Sequence, residues 1–293
     1  MLHLHNILGG VWFVEEVFAM NYLPVVASFL NGTETMGRPR RALREDERSE
    51  DNSVWFASVS NGSYRVSDYG SWAAPEDAPK DSVAILSVNG TITKQDQDCG
   101  PSGMITKASL LERCFAEDNI KAIVLDIDSG GGEGCGCRVM QEAIGKRNKP
   151  VVAFCNDFAA SAAYGIAAVC DKVIANSDTC RVGSVGTYMT LVDYEEYYKK
   201  MGVNLVEVYA TKSTDKNQDF YKALQGDTAP LRAVCDRFNE AFISSIATAR
   251  KGVIAEDQKA WATGKMFFAQ EALDLGMIDG VDTLESVLNY FNT

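Results

Sequence analysis

Histidine is nearly missing from this chain of 293 residues: there are two, His3 and His5, both near the N-terminus. A Ser-His-Asp triad, a histidine-rich zinc site or a histidine general base therefore has next to no material in the middle of the chain. Any hydrolytic chemistry must find another base. Positive charge is short as well. Lys and Arg number 28 against 40 Asp and Glu, for a formal net charge of −12, the opposite of the clustered cationic surface that tracks a phosphate backbone. No nucleic-acid partner is expected. There is no internal repeat and no transmembrane stretch. Leu2 to Leu30 is apolar, yet it lacks a basic leader and carries Glu15, Glu16 and Asn21, which a membrane span tolerates only at a cost. The expectation is no membrane span and a cytoplasmic location.

What is present is globular. With 46% hydrophobic and 23% charged residues, the chain can bury one large core or two smaller ones. The eight cysteines sit in apolar or Gly-rich stretches without the spacing of a disulfide scaffold, and they read as free thiols. Cys135-Gly-Cys137 is half a ligand set with no histidine neighbour, so no metal and no cofactor are assigned. Phe13, Phe18, Tyr22 and Leu23 share one face of an amphipathic helix within residues 1–37, suited to docking on the body or on a partner subunit. Residues 38–80, opening on the mixed charge run Arg38 to Ser53, read as a linker and irregular segment. From Asp81 the pattern becomes strands alternating with helices, and residues 81–293 form one domain.

Val83–Val88 and Lys121–Ile127 are strands, and Ala108–Ala116 between them has helical spacing. Arg138–Arg147 is a helix, Val151–Cys155 a strand, Ala159–Val169 a helix of small residues, Lys172–Ala175 a strand, and Thr228–Lys251 one long helix. Strands that are apolar throughout, separated by helices, predict an α/β fold with a largely parallel sheet covered on both faces.

In such a sheet reactive groups sit at the carboxyl ends of strands, and two of those ends are unusual. Asp128-Ser-Gly-Gly-Gly-Glu-Gly134 follows one strand, and its glycines allow backbone N–H groups to converge as an oxyanion cradle; it also reads as a plain turn. It lacks the Gly-Lys-Ser/Thr ending of a P-loop. After the next strand, Asn156-Asp-Phe-Ala-Ala-Ser-Ala-Ala-Tyr-Gly165 puts Ser161 in the first turn of a helix, where free N–H groups stabilise an oxyanion and small residues leave room for a substrate backbone. Small residues equally permit close helix packing, so Ser161 alone does not decide between the two.

Asp128-Ser-Gly-Gly-Gly132, Lys149-Pro-Val-Val-Ala153, Ala159-Ala-Ser-Ala-Ala-Tyr164, Ala168-Val-Cys-Asp171 and Val182-Gly-Ser-Val-Gly186 occur in this order. With Ala262-Thr-Gly-Lys-Met-Phe-Phe267 and Glu271-Ala-Leu-Asp-Leu-Gly-Met-Ile-Asp279, they resemble the signal peptide peptidase A family of serine peptidases. The resemblance runs from about Val83 to Val287. It implies the Clp protease/crotonase fold of repeated ββα units, and a Ser-Lys dyad in which Ser161 is the nucleophile. Tyr209-Ala-Thr-Lys-Ser-Thr214 supplies Lys212 as the base, with Lys216 the competing candidate. Burial would have to lower the lysine pKa for it to act so. The resemblance further implies that Ser184 orients the amine and that the backbone N–H groups of Gly131 and Ala162 form the oxyanion hole.

Without an anchor or a second catalytic copy, the chain is most similar to the soluble phage head-maturation branch. The expected substrates are then capsid or scaffold proteins, or the protease itself, in the host cytoplasm or procapsid. The expected assembly is a homo-oligomer whose active site lies near a subunit boundary. Two alternatives remain: a crotonase-like acyl-CoA enzyme using carboxylates such as Glu133, and a catalytically inactive assembly scaffold.

Overall fold

The computed structural model of the chain describes residues 12–14, 54–60, 63–66, 74–97 and 101–291. Its strands are β1 Trp12–Val14, β2 Val54–Ser60, β3 Ser63–Val66, β4 Ser82–Ile92, β5 Ile120–Glu133, β6 Val151–Ala160, β7 Lys172–Ala175, β8 Arg181–Gly183, β9 Met266–Phe268 and β10 Gly280–Val281. The α-helices are α1 Met104–Ala116, α2 Gly134–Gly145, α3 Ala162–Ala167, α4 Glu195–Lys200, α5 Gln218–Leu224, α6 Ala229–Ala249, α7 Ala269–Asp274 and α8 Leu284–Asn289.

One sheet carries the fold, in the order β10-β7-β6-β5-β4-β2-β3, with β8 continuing beside β6 and pairing β9. The central pairs β4–β5, β5–β6, β6–β7 and β7–β10 are parallel, while β2 and β3 add an antiparallel edge. The expected α/β architecture with a largely parallel sheet is what the chain forms. Its strands are apolar throughout because both faces are covered. Ala84, Leu86, Ile123 and Leu125 point into the larger core beneath the helices α1, α2 and α3, joined by Phe242 and Ile246 of α6. Val83, Ile85, Val124 and Phe154 point to the opposite face, which Val287 and Leu288 of α8 cover.

Arg250, just past α6, locks the C-terminal segment to the sheet. Its guanidinium donates to Asp279 at 2.7 and 3.2 Å and to the Gly276 carbonyl, and Asp279 also accepts the Val173 N–H at 2.7 Å. Burial alone would raise the Asp279 carboxyl, but these hydrogen bonds outweigh it and hold the carboxyl below its ordinary value.

The structure differs from the sequence reading at four places. The sheet begins at Val54, inside the segment expected to be linker, because Val54 and Phe56 alternate with the exposed Trp55 and place Phe56, 1% exposed, in the core against β4. At the N-terminus, Trp12–Val14 is a strand antiparallel to Gly131–Glu133, where a helical face through Phe13 was expected; the rest of that face lies outside the described residues. The Gly-rich stretch after Ile127 is not a turn. It continues β5 to Glu133, paired with Thr91 and Ile92 of β4, so tightly that a Cβ on Gly132 would lie 2.0 Å from the Ile92 carbonyl oxygen. Finally, β6 runs on to Ala160, so Ser161 caps a helix of six residues instead of lying inside its first turn.

Candidate active site

Three strand ends converge on Ser161. β6 runs parallel to β5 up to the pair Ser129–Ala159, and on its other edge parallel to β8 through Ala160–Gly183. Ser161 follows at the last residue before the chain turns into α3. Its N–H donates to the Gly183 carbonyl at 2.7 Å, and its own carbonyl accepts the Gly165 N–H at 2.8 Å. These two bonds hold Ser161 at φ 54° and ψ −115°, a conformation that glycine adopts freely and a serine enters at a cost of about 1–3 kcal/mol.

The Ser161 side chain is 0% exposed, and Oγ has no hydrogen-bond partner among the described residues. A buried hydroxyl without a partner is costly to a fold. Strain and an unmet polar group coincide at one residue, the combination expected of a side chain kept ready for a reaction.

Ser184 follows the glycine that grips Ser161. It is buried, sits at φ 51°, and its N–H donates to the Lys265 carbonyl at 2.8 Å. The structure thus brings Ser161 and Ser184 into one cluster. Gly131 belongs to the same neighbourhood through β5, with φ 97°, but its N–H donates to Ser129 Oγ at 3.1 Å. Ser129, which the sequence reading passed over, is buried and ties the cradle down by donating its hydroxyl to the Gly90 carbonyl at 2.5 Å. The Asp-Ser-Gly-Gly-Gly string contained that signal, since a hydroxyl among glycines is placed to bond its own backbone. Ala162 opens α3, fully buried, where an amide has no carbonyl one turn behind it.

The small residues of α3 serve packing. Ala162 and Ala163 are 0% exposed, and a Cβ on Gly165 would lie 2.6 Å from the Phe242 ring and 2.9 Å from Cys137 Sγ. The room beside Ser161 must therefore come from the β5 side and not from the helix. A surface cleft of about 520 Å³ lies elsewhere, along α6 between Glu240 and Lys251, and contains none of these residues.

Lys212 is not brought to Ser161 within one chain. Lys212 and Lys216 are both exposed, on a stretch in which no residue from 186 to 241 is buried. The buried Lys107 donates to the Ser87 carbonyl at 2.9 Å, and Lys149 to the carbonyls of Cys114 and Glu117. Neither reaches Ser161 Oγ, which has no partner among the described residues. The stretch around Lys212 is strongly apolar for its exposure: Val206 and Val208 are 83% and 90% exposed, with Met201, Val203 and Leu205 beside them.

Two other groups have partners or burial of their own. Glu133, the carboxylate on which an acyl-CoA chemistry leaned, accepts the Lys94 N–H at 2.7 Å. Cys135 is exposed while the Cys137 thiol is buried and pushed up to about 12 by desolvation, the reverse of a reactive pair. Among the described residues no cluster of His, Cys, Asp and Glu could hold a metal ion, and no helix is long and apolar enough to cross a membrane.

The family model for Peptidase family S49 matches residues 143–293. The chain is 28% identical over 205 residues to the head-tail preconnector protein GP5 of Enterobacteria phage P21, covering 67% of this chain and 40% of that one. It is 25% identical over 211 residues to Protease 4 of Haemophilus influenzae, covering 71% and 34%. The chain thus spans well under two thirds of the length of either relative. A ClpP1 mutant from Listeria monocytogenes superimposes with a TM-score of 0.44 at 15% identity, over 70% of this chain and 94% of that one.

Proposed function

The chain belongs to peptidase family S49, and from that premise we propose that it is a serine endopeptidase whose nucleophile is Ser161 and whose base is the Lys212 amine of a neighbouring copy. The observation that carries this reading is Ser161 itself: buried, strained and without a partner among the described residues, at the meeting of β5, β6 and β8. Among the described residues no base reaches Ser161 Oγ, and the exposed apolar arm bearing Lys212 is the surface that a second copy would cover. Burial on assembly would remove water from the ammonium and favour the neutral amine.

In the reaction, Ser161 Oγ attacks the scissile carbonyl carbon as its proton passes to the Lys212 amine. The oxyanion accepts hydrogen bonds from the Ala162 N–H and from the Gly131 N–H, once the latter leaves Ser129 Oγ. Collapse breaks the C–N bond, and the lysine ammonium returns the proton to the departing amine. The neutral lysine then takes a proton from water, whose oxygen attacks the acyl-enzyme, and Ser161 leaves with that proton. Ser184 orients the amine.

Capsid or scaffold proteins of a phage head, or the chain itself, are the proposed substrates, on the similarity to the phage P21 preconnector protein. Co-expression with a neighbouring capsid or scaffold protein, followed by intact mass, tests reaction and nucleophile together. Specific cleavage by the wild type, lost by at least about 10³-fold in Ser161→Ala, is the expected result. Equal cleavage by the variant overturns the assignment.

A further inference from the structure

The edge of β5 beyond Ser129 is occupied by the chain's own N-terminal strand, and that occupancy has a functional meaning. β5 has two edges. β4 follows one of them as far as the pairs Thr91–Gly131 and Ile92–Gly132. β6 follows the other only to Ser129–Ala159, because at Ser161 the chain turns away into α3. Residues 131–133 of β5 are therefore left with an unpaired edge, and this edge begins at the nucleophile. An open strand edge beside a peptidase nucleophile is a template for an extended peptide, which main-chain hydrogen bonds hold in register.

β1 takes that place. Trp12 lies opposite Glu133, Phe13 opposite Gly132 and Val14 opposite Gly131, antiparallel to β5. The strand runs toward the nucleophile, so that Val14 reaches the level at which Ser161 leaves the sheet. Trp-Phe-Val is a β-favouring triplet.

Resting on the assignment of Ser161 as nucleophile, we propose that the β5 edge at Gly131–Glu133 is the substrate-binding strand and that Trp12–Val14 is its intramolecular occupant, an autoinhibitory strand that a peptide substrate must displace. A tethered segment competes at an effective concentration of about millimolar. Peptides supplied at micromolar concentration are thereby excluded until the strand is released. The ligand class is an extended peptide bound through its backbone.

The test uses binding, so that it does not depend on turnover. A fluorescein-labelled synthetic peptide of residues 10–16 is titrated against the full chain and against Phe13→Pro, which removes a strand N–H and disfavours pairing. Both proteins carry Ser161→Ala. Binding at least tenfold tighter to Phe13→Pro is expected; equal binding to the two, or binding to neither, overturns the proposal. Should Phe13→Pro fail to fold, hydrogen exchange on the unaltered chain decides: slow exchange of the Trp12–Val14 amides supports the pairing, and exchange at the free-peptide rate overturns it. Cleavage that persists in Ser161→Ala would remove the nucleophile while leaving this binding result readable.

Discussion

The body that holds Ser161 and the arm that holds Lys212 are built to opposite rules. Around Ser161 everything is determined: β5, β6 and β8 meet there, α3 is wedged against Phe242 and Cys137, and two backbone hydrogen bonds fix a serine in a conformation it would not choose. From residue 186 to 241 no residue is buried as a whole, and apolar side chains such as Val206 and Val208 face water. A fold can hold a strained residue only where its surroundings over-determine it. It exposes an apolar stretch of this size where another surface is meant to meet it. On the proposed reading the body is complete in one copy, and the arm is completed by a second.

Body and arm can be inactivated separately. Ser161→Ala and Lys212→Ala should each lose at least about 10³-fold in peptide hydrolysis. Mixed in equal amounts, the two inactive proteins should regain measurable activity, because an assembly pairing an intact Ser161 with an intact Lys212 from another copy contains a working site. Absence of recovery on mixing, with each variant assembled as the wild type is, would refute delivery across a boundary. Activity retained by Lys212→Ala and lost by Lys216→Ala would move the base four positions along the chain.

Stability should divide along the same line. Arg250→Ala leaves the half-buried Asp279 without its ion-pair partner, and such a break costs at most about 3–5 kcal/mol, read as a fall in the denaturation midpoint. Val206→Ala or Val208→Ala, on the arm, should stay within about 0.5 kcal/mol while weakening association. The ion pair also sets an acid limit. Asp279 is held below its ordinary value in the fold, so its contribution is complete above about pH 4 and is lost as pH falls through the lower folded value. A body that tolerates Arg250→Ala as easily as the arm tolerates Val206→Ala would erase the distinction.

How far the sequence could be read follows from the same contrast. The central strands and the helices between them were legible because both faces of a parallel sheet are buried, which writes an apolar run at each strand. Lys172–Ala175 and the long helix α6 fall within a residue or two of expectation. Ser161 stands out in the sequence through its motif, and the structure sets it, buried, where β5, β6 and β8 meet. The continuation of β5 through its glycines was not, because glycine carries no strand preference and only the approach of β4 makes it the required residue at Gly132. Nor was the edge formed by β2, whose pairing depends on residues far along the chain. Lys212 comes from a motif alone, and within one chain it is exposed. Spacing along a sequence does not say which copy supplies a group.

The smallest effect is the most particular to Ser161. Its φ of 54° and ψ of −115° match the first central position of a type II′ turn, a place where glycine is unstrained and any L side chain is not. Its hydroxyl is buried without a partner among the described residues. Ser161→Ala removes the unmet hydroxyl, and Ser161→Gly removes the hydroxyl and the backbone strain together, less the added entropy of a glycine in the unfolded chain. Both inactive variants should therefore be more stable than the wild type by about 1 kcal/mol, with melting raised by a few degrees. Ser129→Ala should go the other way, since its hydroxyl holds Gly90 and Gly131 together. A Ser161→Gly protein that melts below the wild type would mean that the serine is at rest in its place, and that the body holds no strain for catalysis to use.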